Sequence, residues 1–261
     1  MDNNDFFFKS AKIEKFVIDG REIELPIRYY RDNALIGVFI APTKQIINVL
    51  PTKRFKPIEI LPSMALISLI GLHHYNTSIG PFSELDVGIP VFFDSKLSLP
   101  FFSALRYNKH TNFGIFMFRL FVSDEKALTA GIKVWNYPKV IADIKFEETD
   151  YRYIMKITKN NSLILNFMVQ KRLRINKEHL STFYVYSIKN KEILKSPVNW
   201  RGFRYLSRKP HFASFELGDQ AYARELKNLS MKNFCVEGSF YSDLQYILNP
   251  PAEVYSLIKN K

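Results

Sequence analysis

The chain has 261 residues, 47% hydrophobic and 24% charged, which is an ordinary globular composition. Its net charge of +12 suits an anionic small molecule, nucleic acid or an acidic membrane surface, and says nothing of fold. The single cysteine, Cys235, excludes an intrachain disulfide and a cysteine-rich metal site, and with no histidine near it in sequence it reads as an idle buried thiol.

The first residues, Met1-Asp2-Asn3-Asn4-Asp5, are acidic where a signal peptide carries positive charge, and Phe6-Phe7-Phe8 is too short for its apolar core. Phe16-Val17-Ile18, the turn pair Asp19-Gly20 and Arg21 to Leu25 predict a hairpin. Leu35 to Ile40 reads as a short buried strand. Thr43 is placed to cap a helix carrying Ile46, Ile47 and Leu50 on one face, with Pro51 as its stop. Ile58 to Leu72 reads as a central strand with Pro62 at its start. It is broken by Glu59, Pro62 and two serines and falls short of the ~20 residues that cross a bilayer. Val87 to Phe93 and Phe113 to Val122 are further strands. Ser123-Asp124-Glu125 opens a helix with a cap followed by two acids. That helix ends by about Asn136, because Tyr137 precedes a proline.

A meander follows. In Val140 to Glu147 the set 140, 142, 144 and 146 is apolar, while Asp143, Lys145 and Glu147 fill alternate places. Tyr151 to Thr158 and Ser162 to Val169 continue it around an Asn160-Asn161 turn. The block Lys171-Arg172-Leu173-Arg174 is strand-like and reads as a solvated face. Asp219 caps a last helix through Leu229. No stretch reads as a linker, so residues 1–261 form one domain. The class is α+β, a large mostly antiparallel sheet curled into a barrel with a few peripheral helices. The expected protein is soluble and cytoplasmic.

The histidines at 73, 74, 110, 179 and 211 show no ligand spacing, and His73 and His74 point to opposite faces of a strand. No metal site is expected. Glycine-rich phosphate loops and the GxSxG elbow are also missing, so nucleotide, redox and serine-hydrolase chemistry have no support in the sequence. Two residues remain. Glu84 lies in Gly80-Pro81-Phe82-Ser83-Glu84-Leu85-Asp86, where a carboxylate is ordinarily a solvated turn residue. Lys139 follows Tyr137-Pro138 with Val140, Ile141 and Ala142 behind it. One lysine among many is ordinarily a surface charge, but an apolar setting can strip its proton and make it a nucleophile.

Taken together, three stretches resemble the acetoacetate decarboxylase family. They are Tyr75 to Glu84 running on to Ile89-Pro90-Val91; Phe121 to Glu125 with Ala130-Gly131 and Asn136-Tyr137-Pro138-Lys139; and, more weakly, Phe215 to Asp219 with Pro251-Ala252-Glu253-Val254. Their order and spacing agree over roughly residues 20 to 258. The resemblance implies a cone-like β-barrel, a homo-oligomer, and no metal or organic cofactor. It places Lys139 on the Schiff-base lysine and Glu84 on an active-site glutamate. The family's active-site arginine falls on Arg31 with a one-residue gap, or on Arg28. Phe82, Phe116, Met117 and Trp135 are expected to keep the pocket dry.

One departure stands out. The family carries a second lysine after the first, and this chain has Val140. Lysine amines are activated by desolvation or by a neighbouring cation, acetoacetate decarboxylase being itself a known example. Here activation falls to burial, unless Lys133 folds back to supply the cation. The implied function is decarboxylation of a β-keto acid through an imine on Lys139, with a small anionic keto acid as the partner. Three alternatives stay open: an imine-dependent aldolase or dehydratase acting on a larger keto acid, a non-catalytic small-molecule binder, and a nucleic-acid binder resting on net charge alone. Neither nucleic acid nor membrane is the expected partner.

Overall fold

Apolar residues alternate with period two through most of the chain, and strands form wherever that pattern can bury one face. The computed structural model describes residues 6–9, 12–95, 112–171 and 178–258. The elements run α1 (Phe6–Lys9), β1 (Glu14–Ile18), β2 (Arg21–Leu25), β3 (Ile27–Pro42), α2 (Thr43–Val49), β4 (Phe55–Pro57), β5 (Glu59–Leu61), β6 (Met64–Thr77), β7 (Phe82–Phe93) and β8 (Phe113–Val122). They continue with α3 (Glu125–Trp135), β9 (Lys139–Ile141), β10 (Asp143–Glu148), β11 (Arg152–Lys159), β12 (Ser162–Gln170), β13 (Glu178–Lys189), β14 (Glu192–Ser207), β15 (Ala213–Leu217), α4 (Ala221–Lys227), β16 (Lys232–Leu248) and β17 (Glu253–Ser256).

Strands β7, β6, β3, β16, β14, β13 and β8 pair in that order, and β8 pairs back onto β7, closing a seven-strand barrel. Every joint is antiparallel except β13 with β8. A second antiparallel sheet, β10-β11-β12-β15, packs outside the ring. Alternation sorts β7 between two cores. Leu85, Val87, Ile89, Val91 and Phe93 join Met155, Ile157, Phe167 and Val169 in the core between ring and second sheet. Phe82 turns the other way and packs with Tyr29, Leu72, Leu120, Trp200 and Tyr246 inside the ring. Gly71 lets the layers approach closely: a Cβ there would lie 3.0 Å from Met155 Sδ. α3 lays Ala127, Ala130 and Trp135 on the inner cluster.

The predicted hairpin forms as β1 and β2, with Asp19 and Gly20 both at positive φ in the turn. Asn160 and Asn161 turn the β11–β12 hairpin in the same way. Several boundaries differ from expectation. Leu35–Ile40 and Val87–Phe93 are parts of the longer β3 and β7. Pro62 does not begin one long strand, because it sits with Ser63, at φ 62°, in the turn that separates β5 from β6. The N-cap of α2 is Pro42, and the Thr43 hydroxyl donates to Glu59 instead. Ile47 is exposed while Ile46 is buried, so the two do not share a face of α2.

The cap of α3 is Asp124, whose Oδ1 accepts from the Ala127 N–H at 2.9 Å. Ser123 accepts the Ser83 N–H. Gln220 rather than Asp219 caps α4, which ends at Lys227 instead of Leu229. Asp219 pairs with Lys227. Residues 1–5, His110 and residues 172–174 of the basic block lie outside the described residues. Among the described residues no helix is long and apolar enough to cross a membrane.

Because Asp124 satisfies an otherwise orphaned N–H, Asp124→Ala is expected to lower unfolding free energy by about 1 kcal/mol. Urea titration followed by circular dichroism measures it.

Candidate active site

The helix end before Lys139 is held from several sides. Asn136 takes the left-handed conformation at φ 51°, which asparagine tolerates, and its N–H donates to Ile132 O at 3.0 Å. Tyr137 N donates to Gly131 O at 3.1 Å, and the Tyr137 ring stacks on Trp135. Trp135 Nε1 donates to Asn249 O at 2.9 Å, Asn136 Nδ2 to Ile188 O at 2.6 Å, and the Ser187 hydroxyl to Trp135 O. β9 then pairs in parallel with β8, setting Lys139 beside Leu120, which itself faces Asp86 on β7.

Gly131 makes room for the lysine stem. A Cβ on it would lie 2.5 Å from Lys139 Cε and 3.2 Å from Nζ, so a side chain there would displace the amine. Lys139 Nζ donates to Glu84 Oε2. The two side chains are only 6% and 7% exposed.

Other ionisable groups crowd the same interior. Asp86 shares Glu84's face of β7 and is buried. Its pKa lies well above the usual carboxylate range, through burial first and the Glu84 charge second. Across β3 and β6, Asp32 Oδ1 and His74 Nδ1 lie 2.8 Å apart, both side chains fully buried. Burial, then Glu84, raises Asp32 well above its ordinary value. Burial lowers His74 to about 3, with Glu84 opposing and Lys139 adding to the shift. The phenols of Tyr29, Tyr137 and Tyr246 are raised, foremost by burial. Four buried polar atoms here have no hydrogen-bond partner: Asp32 Oδ2, His74 Nε2, Asp86 Oδ1 and Tyr137 Oη. Such atoms are costly in a folded protein and mark where a ligand or water would be received.

Lys139 and Glu84 are thus brought into contact. The two arginines lie elsewhere on β3. The register with β6 slips between Tyr29, Arg31 and Asp32, so Asp32 turns inward while Arg31 is exposed, its guanidinium 5.1 Å from the Tyr75 ring centre. Arg28 pairs with Glu24. No arginine is buried among the described residues. Val140 packs into the core between ring and second sheet, on the face of β9 opposite Lys139. A second lysine at 140 would therefore point away from the site. Lys133 lies 3.3 Å from Asp19 and is half exposed. Phe82, Met117 and Trp135 belong to the inner cluster, whereas Phe116 packs on the other side with Phe55, because β8 bulges against β7 at Val87/Gly88.

Asp32, His74, Asp86 and the three tyrosines were not singled out from sequence. The legible sign for Asp86 was its place two residues beyond Glu84 in an apolar strand; Asp32 depended on the bulge. Among the described residues no group of three or more His, Cys, Asp or Glu could hold a metal ion. A surface hollow of about 470 Å³ beside Arg54 and Asp94 shares no lining residue with this interior.

A sequence model described as acetoacetate decarboxylase matches residues 20–211. Among curated proteins, none matches the chain. Solved structures share the fold. One from structural studies of acetoacetate decarboxylase has 17% identity and a TM-score of 0.60 over 90% of this chain and 91% of the other. An acetoacetate decarboxylase from Legionella pneumophila subsp. pneumophila str. Philadelphia 1 has 14% identity and a TM-score of 0.61 over 88% and 87%. The enduracididine biosynthesis enzyme MppR complexed with pyruvate has 9% identity and a TM-score of 0.58 over 89% and 90%.

Two outcomes follow from this geometry. Gly131→Ala should abolish reactivity of the Lys139 amine while leaving the far-ultraviolet spectrum unchanged, as amine-labelling mass spectrometry would show. Burial and the Glu84 charge favour the protonated form of Asp86 in the fold, whereas it ionises in the unfolded chain above about pH 4. The unfolded state then binds fewer protons, and wild-type stability falls as pH rises toward the raised folded value. The stability advantage of Asp86→Asn should therefore grow with pH from about 4, by about 1.4 kcal/mol per unit for one proton, in urea titrations at several pH values.

Proposed function

The chain belongs to the acetoacetate decarboxylase family, and on that footing we propose that it is a Schiff-base-forming lyase whose nucleophile is Lys139. One observation carries the reading: a buried amine in contact with a buried carboxylate, in a barrel interior lined by Phe82, Met117 and Trp135. In a dry interior a proton can pass from the ammonium to the carboxylate it touches, leaving both groups uncharged. The amine nitrogen then attacks the ketone carbon of a β-keto acid. The resulting carbinolamine loses water, taking a proton from Glu84, and becomes a protonated imine.

The imine is an electron sink. The bond to the substrate carboxylate breaks, its electron pair moves toward the imine nitrogen, and carbon dioxide leaves behind an enamine. Protonation of the enamine carbon and addition of water release the ketone and the free amine. Glu84 holds and returns the proton of Lys139 through these steps. Arg31 and Arg28 contribute long-range attraction for the anionic substrate, in keeping with the net charge of +12. The same reading carries a homo-oligomer in the cytoplasm.

A second reading keeps the imine and changes the bond that breaks: aldol or dehydration chemistry on a larger keto acid. It draws support from the fold shared with the enduracididine biosynthesis enzyme MppR, solved in complex with pyruvate. A panel of β-keto acids against aldol donors and acceptors separates the two.

Incubation with acetoacetate followed by borohydride should leave a reduced adduct on Lys139, located by peptide mass mapping. Turnover without an adduct would rule out the imine route. Glu84→Gln, which cannot accept the proton, should lower kcat by roughly 10²–10⁴-fold, measured as carbon dioxide release.

A further inference from the structure

We propose that the buried Asp32–His74 couple is the proton donor to the enamine carbon formed on Lys139. The inference rests on the imine reading above and adds to it a residue pair outside the Tyr-Pro-Lys and Glu84 stretches.

The argument is a proton count. Asp32 and His74 touch through Oδ1 and Nδ1 at 2.8 Å, and both side chains are fully buried. A pair this deep is stable only with no net charge. An uncharged pair, whether neutral acid with neutral imidazole or carboxylate with imidazolium, holds two protons between them. The Oδ1–Nδ1 contact uses one. The other must sit on one of the two remaining atoms, Asp32 Oδ2 or His74 Nε2, and those are the two buried atoms of the pair without a partner. The couple therefore always presents one free donor and one free acceptor. Buried polar atoms are ordinarily satisfied, so the two open ends of the couple call for a partner.

Placement agrees. Leu72 faces Glu84 across β6 and β7, and His74 is two residues further along the same face. This puts it one diagonal step across the sheet, a residue spacing of roughly 7–8 Å, from Glu84. Both Glu84 and Lys139 act electrostatically on His74. The imidazole is packed between Tyr29 and Phe82, at 4.8 and 4.3 Å between ring centres, which fixes its direction. Glu84 is occupied by Lys139. Asp86 Oδ1 and Tyr137 Oη are the other unpartnered atoms of this interior, and the couple differs from both in having its two open ends on two side chains, so that it can give a proton at one and take it back at the other.

The step balances. The enamine π pair forms a C–H bond to the proton on the free end of the couple, and the nitrogen lone pair closes the C=N bond. The product is a protonated imine facing a couple that carries one negative charge. Water then adds to the imine carbon and gives up a proton, which returns to Asp32 Oδ2 or His74 Nε2 and restores the neutral pair. No oxidant, reductant or further reactant is needed.

The test uses acetone, which has no carboxylate and so isolates proton transfer at carbon. In D2O, proton NMR follows exchange of its methyl hydrogens by the wild type, Asp32→Asn and His74→Gln. Borohydride trapping of acetone on Lys139 is measured in parallel, with circular dichroism as the folding control. The expected result is wild-type trapping in both variants with exchange slowed by about 100-fold or more, and recovery of exchange in Asp32→Glu. Undiminished exchange in trapping-competent variants would overturn the relay and leave the imine reading standing. If one variant does not fold, the other, or His74→Asn in its place, decides on the same two readouts; in the wild type, trapping without any exchange overturns the relay alone, and no trapping overturns the imine reading together with it.

Discussion

The contact between Lys139 and Glu84 sets the terms for everything around it. Two opposite charges are buried in a ring interior walled largely by aromatic and aliphatic side chains, with Asp32, His74 and Asp86 close by. Taking them out of water costs several kcal/mol each, and the attraction between them returns this only when their geometry is held. The holding is visible in the structure: Gly131 clears space for the lysine stem, the left-handed Asn136 turns the chain, and hydrogen bonds from Trp135, Asn136 and Ser187 fasten the helix end to other parts of the fold. Glycine within α3 is itself about 1 kcal/mol less favourable than alanine, a cost accepted for the position of one amine.

The pair also orders the charges near it. Burial first, and the Glu84 charge second, shift Asp86 and Asp32 toward their neutral forms. The chain carries an excess of 12 positive charges overall, yet among the described residues Asp32, Glu84 and Asp86 are buried in the interior beside Lys139. Long-range attraction and local recognition act through different residues.

Much of this was legible. The Asp19-Gly20 and Asn160-Asn161 turns and the helix stop before Pro138 each rest on local chemistry, and each appears in the fold; the alternation from Val140 to Glu147 holds as well, although Ala142 divides it between β9 and β10 in two different sheets. The Tyr-Pro-Lys and Glu84 stretches were readable because family resemblance fixed their order. What stayed hidden depended on other strands. Three β-bulge shifts along β3 and β8 decide which of Arg31 and Asp32 faces inward and where Phe116 and Met117 point, and a one-residue slip in a strand exchanges its faces. The helix caps were misread by one residue at Ser123 and Asp219, since neighbouring polar residues compete for the same N–H groups and only the backbone turn decides.

The barrel divides its labour along the chain. Asp32, His74, Glu84, Asp86 and Lys139 all come from the chain up to β9, on β3, β6, β7 and β9. β13, β14 and β16 complete the ring and give the interior Val185, Val198, Trp200, Tyr241, Leu244 and Tyr246. The earlier strands therefore carry the reactive groups, and the later ones supply apolar wall without them. Substitutions in the later strands can reshape the cavity without touching a titrating side chain, and such a separation lets substrate size drift over evolution while the reaction is conserved.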